Sequence, residues 1–146
     1  MTELEVQRLV DDPHIPDDNC FRGWVDAALE GAGACMVNLR IVDLAEGWAL
    51  NREWRGKDAA TNVLSFPADM PELDGKRILG DVVLCAPVIE QEASEQGKSL
   101  EAHWAHLVTH GLLHLLGFDH IKGTQAAAME TREIEILERL GFSNPY

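Results

Sequence analysis

At 146 residues, 46% of them hydrophobic, the chain has apolar side chains enough for one core and too little length for two comfortable domains, so a single domain over residues 1–146 is expected. Nothing in it approaches the ~20 consecutive apolar residues of a membrane span, and the start Met1-Thr2-Glu3-Leu4-Glu5 has no basic or apolar leader, which predicts a cytoplasmic protein without membrane contact. A net charge of −13 argues against DNA as a partner and against tight binding of any free nucleic acid.

In chain order, Leu4 to Val10 alternates as a first strand and is closed by Asp11-Asp12-Pro13. Asp17-Asp18-Asn19 offers caps for a helix to about Gly31, with Phe21, Trp24, Val25, Ala28 and Leu29 as its apolar face. Ala34 to Asp43 reads as a strand, Leu44 to about Trp54 as a short helix, and Asn62 to Pro67 as a short buried strand stopped by proline. Ala68 to Lys76 is rich in turn residues, and Ile78 to Ala86 is the clearest strand. Pro87 begins a helix that Gly97 stops. Leu100 to Leu116 is apolar on nearly all sides and therefore central to the core, and a last helix runs from about Thr124 to Leu140, closed by Gly141. The order β-α-β-α-β-β-α-α-α predicts an α+β domain with one sheet of about four strands packed by helices.

Cys20, Cys35 and Cys85 are odd in number, far apart and outside any C-x-x-C pair, so reduced thiols are expected and metal ligation by them is not. Charge is uneven: Glu130, Glu133, Glu135 and Glu138 load the last helix, whereas Arg52, Arg55 and Lys57 fall close together. Such a cationic patch, joined by a metal dication, can hold a phosphodiester weakly and in a salt-sensitive way.

The strongest chemical signal is His110-Gly111-Leu112-Leu113-His114-Leu115-Leu116-Gly117-Phe118-Asp119-His120. Histidines four apart on a helix share a face, so His110 and His114 can converge on one ion; Gly117 can end the helix and turn the chain back so that His120 adds a third nitrogen. Three nitrogens leave one tetrahedral position for a water, the arrangement of a catalytic zinc site with one Zn²⁺ per chain on a metalloprotease-like helix. A protease of the H-E-x-x-H type carries its general base where this chain has Gly111, which argues for a hydrolase of another class. His106 lies four before His110 and His103 is on nearly the same face, but only the His110/His114 register places the glycine and the third histidine correctly. His103 and His106 are expected beside the site or as supports of its ligands.

These residues, together with Leu50-Asn51-x-x-Trp54-Arg55-x-x-Asp58-x-x-Thr61-Asn62-Val63-Leu64-Ser65-Phe66-Pro67 and Leu79-Gly80-Asp81-Val82, resemble the YbeY family of bacterial single-strand-specific endoribonucleases over essentially the whole chain. Trp54 and Phe118 stand where the family often has Tyr, and both keep an aromatic ring. The resemblance implies a zinc-dependent enzyme that matures the 3′ end of 16S ribosomal RNA and takes part in quality control of the small subunit. Its partners would be ribosomal RNA, small-subunit proteins and ribosome-assembly GTPases. It also implies that His110, His114 and His120 bind the metal and that Arg55 is the active-site arginine, a planar guanidinium suited to a phosphodiester whose oxygens gain charge during hydrolysis. Asp119 is expected to serve the turn or the ligands, Asp81 to be structural or to orient a cleft residue, and Ser65, outside any G-x-S-x-G elbow, not to be a nucleophile. Two other readings stand beside this one: a peptidase or amidohydrolase with a base from elsewhere, and a non-catalytic assembly factor with structural zinc.

Overall fold

Parallel strands need long crossovers, and the first half of the chain supplies them. The computed structural model describes residues 2–55, 61–69, 72–118 and 123–146, the side chains of residues 54, 55 and 123–125 excepted. Strand β1 (Thr2–Arg8) is followed by helix α1 (Asp18–Ala28), β2 (Cys35–Val42), α2 (Leu44–Arg55), β3 (Val63–Pro67), β4 (Glu72–Leu73), β5 (Lys76–Cys85), α3 (Ala86–Gln96), α4 (Leu100–Leu115) and α5 (Gly123–Arg139). The sheet order is β1-β2-β5-β3, with β4 also on β5. The first three strands in that order run parallel, while β3 and β4 pair antiparallel with β5.

The predicted α+β class is therefore observed, with five strands rather than about four. The added strand is the two-residue β4, which forms a hairpin with β5 through Asp74-Gly75. Both turn residues have positive φ, 53° and 78°, as a tight hairpin requires, and Asp-Gly is the sequence that tolerates it. Predicted ends shift by a few residues: β1 is Thr2–Arg8 rather than Leu4 to Val10, and α1 stops at Ala28 rather than near Gly31.

Alternation along the strands divides two cores. Val37, Leu39, Ile41, Val82 and Leu84 point into the larger one with α1, α4 and α5, and Val42, Val83 and Cys85 point into the smaller one beneath α2. The larger core is centred on Trp104 of α4, fully buried and edge-on to Phe21 at 5.8 Å between ring centroids. Among the described residues no helix is long and apolar enough to cross a membrane.

Two local devices set where α4 begins and ends. Ser99 caps its start, accepting from the Ala102 amide at 3.1 Å. At the other end the Gly117 amide donates to His114 O and the Phe118 amide to Leu113 O, both at 3.0 Å, with Gly117 at φ 104°. This paired closure satisfies carbonyls the helix would otherwise leave bare, and it stops α4 one residue after the second histidine.

Candidate metal centre

His110 and His114 leave α4 on one face, and their rings meet at 77° with the two Nε2 atoms 3.1 Å apart. Zinc–nitrogen bonds of about 2.0–2.1 Å in a tetrahedron set neighbouring nitrogens about 3.3 Å apart. The observed pair is close to one edge of such a cage, so these donors fit a small tetrahedral cation.

The other nitrogen of His110 is committed. Its Nδ1 lies 2.6 Å from Glu133 Oε1 on α5, and the second carboxylate oxygen, Oε2, lies 2.9 Å from His106 Nε2 and also accepts from the Tyr146 hydroxyl. Glu133 is 0% exposed. Burial opposes its charged form, but hydrogen bonds from His106, His110 and Tyr146 outweigh that and hold it down to about 2. A carboxylate only accepts, so Nδ1 of His110 carries the proton and Nε2 presents a lone pair to its neighbour. Tyr146 is 60% exposed as a residue, but partial burial about its hydroxyl, with the Glu133 hydrogen bond second, pushes the phenol up, so it remains a donor.

The same three residues allow another donor set: His106, His110 and Glu133 each place one ligand atom within 4.8 Å of the others. Asp12, His14 and Glu90 form a second such grouping among the described residues. There His14 is exposed, and burial, followed by a hydrogen bond with Asp12, pushes Glu90 up to about 7.

His103 is a support rather than a ligand. It is 3% exposed and its Nε2 lies 3.0 Å from Glu92 Oε1 on α3, which also accepts from Asn62 Nδ2 at 3.0 Å. Burial lowers its pKa, and the Glu92 hydrogen bond only partly offsets this, so a neutral His103 ties α4 to α3 and to the entry of β3. His106 performs the matching task toward α5 through Glu133.

Gly111 has a packing cause as well as the chemical one read from sequence. A Cβ there would lie 2.6 Å from Val82 Cγ1, 3.2 Å from Val63 Cγ2 and 3.3 Å from Ser65 Oγ, because α4 presses directly on β3 and β5. Ser65 closes the contact by donating its hydroxyl to Gly111 O at 2.9 Å, a structural use in keeping with its exclusion as a nucleophile. A Glu at 111 would be driven into the sheet. Gly111→Ala gains helix propensity of about 1 kcal/mol but overpacks a tight contact at about 1–3 kcal/mol, so a net loss of stability is expected and is measured by urea denaturation of the metal-free protein.

Asp81 accepts from Asn38 Nδ2 at 2.9 Å across β2 and β5, a structural pairing. His120 and Asp119 lie outside the described residues, as does Lys57. Arg55 is placed only as the last residue of α2, its side chain outside the description; in the same basic cluster Arg52 stacks on Trp48 at 5.2 Å. Two residues of the centre were missed in the sequence. Glu133 is one of the four acids that load the last helix, yet it falls on the apolar stripe of Met129, Ile136 and Leu137, four after the first and three before the second. A lone acid on a buried stripe is the signal that finds it. Tyr146, far from any motif, carried none.

Comparison with known proteins gives a consistent family. The sequence model of the Endoribonuclease YbeY family matches residues 12–141. The chain is 55% identical over 148 residues to a protein of Pseudomonas putida (strain W619), covering 100% of this chain and 94% of the relative. It is 54% identical over 146 residues to one of Methylococcus capsulatus, covering 100% and 96%. Both relatives are named Endoribonuclease YbeY. The solution structure of TM1509 from Thermotoga maritima superposes with a TM-score of 0.60 over 97% of this chain and 92% of that one; at 23% identity it speaks for the fold alone.

Proposed function

The chain belongs to the Endoribonuclease YbeY family, and on that premise we propose that it is a zinc-dependent, single-strand-specific endoribonuclease acting in maturation of the small ribosomal subunit, at the 3′ end of 16S ribosomal RNA. The observation that supports the metal reading is the facing pair of Nε2 atoms 3.1 Å apart, one of them kept as a lone pair by a buried carboxylate. His110, His114 and His120 would hold the ion. Bound there, zinc supplies a water of lowered pKa and a positive charge beside the scissile phosphate.

This chain's own residues do the rest. Glu133 fixes the ring of His110 so that its lone pair is aimed before any metal arrives. Arg55 would place a planar, permanently charged fork on the non-bridging oxygens as they gain charge. The peptidase alternative loses support because position 111, where a zinc protease keeps its base, faces the sheet and has no room for a side chain.

With a charge of −13, the protein should cut naked RNA slowly and more slowly still as salt is added, and should cut the same sequence faster within a small-subunit particle, where protein contacts supply affinity. The experiment compares a labelled 16S 3′-end RNA, intact small subunits and casein as substrates for the zinc-loaded protein and its His114→Ala variant. Proteolysis that vanishes in the variant, with no RNA cut in either format, would replace this reading with the peptidase.

A further inference from the structure

The carboxylate of Glu133 sits at a junction of two helices, α4 and α5, and the C-terminal segment that ends in Tyr146. It takes His110 Nδ1 at 2.6 Å on one oxygen and, on the other, His106 Nε2 at 2.9 Å and the Tyr146 hydroxyl. Three donors converge on a side chain with no exposure at all. A buried carboxylate without partners would be costly, whereas here every donor also contributes to fixing its position. The ring of Tyr146 lies edge-on to His106, at 5.5 Å between centroids and 82°, so the phenol and the imidazole brace each other as well as the acid.

We infer that Glu133 is the positioning residue of the metal centre, setting the ring orientation and proton location of His110, and that His106 and Tyr146 are the clamp that holds Glu133 in place. This deepens the metal reading above and rests on it. Glu133 has two oxygens and His110 one nitrogen facing them, so the clamp has a defined duty: it occupies Oε2 and leaves Oε1 to His110. Without it the carboxylate can rotate, and His110 loses the partner that keeps its proton on Nδ1.

Glu133→Gln replaces one acceptor oxygen with an NH₂ donor, so His106, His110 and Tyr146 compete for a single oxygen. Two readouts are taken on the full-length protein. The first is zinc affinity by competition with a chromophoric chelator, expected to fall by ~10–100-fold in Glu133→Gln and by a smaller factor in Tyr146→Phe, with one zinc still bound per chain at saturation. The second is nitrogen NMR of the metal-free imidazoles. His110 should be protonated on Nδ1 in the wild type and shift toward the Nε2-protonated form in Glu133→Gln, a change that a merely structural glutamate would not produce. Should Glu133→Gln fold poorly, Tyr146→Phe alone carries the test, since it leaves both carboxylate–imidazole contacts in place.

Wild-type affinity in both variants, or an unchanged His110 proton location, would overturn the positioning role. Loss of one full equivalent of zinc in Glu133→Gln with His114→Ala still loaded would make Glu133 a direct ligand and overturn it too. If instead the wild type binds no zinc, the metal reading itself fails, an outcome separate from the first two.

Discussion

His114→Ala should fold and fail to retain zinc. His114 is half-exposed on the last turn of α4, so its truncation removes little packing, and a change of less than about 1 kcal/mol in stability is expected. Metal affinity should fall by more than the ~10–100-fold that removing an outer partner produces, because one of the three proposed donor nitrogens is gone. RNA cleavage should fall with it. Metal analysis after gel filtration, with melting of the metal-free forms as the control, checks all three. His106→Ala is the informative companion: it removes a donor of the other candidate set but leaves the facing Nε2 pair. Zinc retained by His106→Ala and lost by His114→Ala places the ion at the Nε2 pair; the reverse pattern moves it to His106, His110 and Glu133.

The second large effect concerns Arg55. Removing a fixed donor that stabilises developing charge typically lowers kcat by ~10²–10³-fold, and Arg55→Ala should fall in that range with zinc content unchanged. Arg55→Lys keeps the charge but not the planar two-pronged geometry, so it should recover only part of the loss. Single-turnover cleavage under saturating RNA separates this from weaker binding. A large drop in melting temperature with little change in rate would make Arg55 a residue of the α2 terminus rather than of the chemistry.

What could be read from the sequence divides by range. The helix carrying the histidine pair and its closure at Gly117 are local events, decided by residues within one or two turns, and they were legible. So was the relation of His110 to His114, which depends only on helical spacing. The two-residue β4 was written in Asp74-Gly75 but is too short to show an alternating pattern. For Glu133 the sequence shows a lone acid on an apolar stripe but not the partner it meets. It meets His110 from 23 residues away, on a separate helix whose rotation is set by packing of Met129, Ile136 and Leu137. Gly111 was read for the base it lacks, while the contact with Val82 that demands it exists only once α4 lies on the sheet.

Helix α4 also determines when the site exists. Six of its seven residues from Leu107 to Leu113 are buried, all but His110, and it touches the sheet, α1, α3 and α5. Amides in such an element exchange with solvent only when the whole molecule opens. The two histidines should thus follow the opening of the global fold: their pairing is expected before any ion is met and is expected to persist when a chelator is added. An ion taken by this pair would then meet donors already in place, unlike a zinc finger, whose chain orders around its ion.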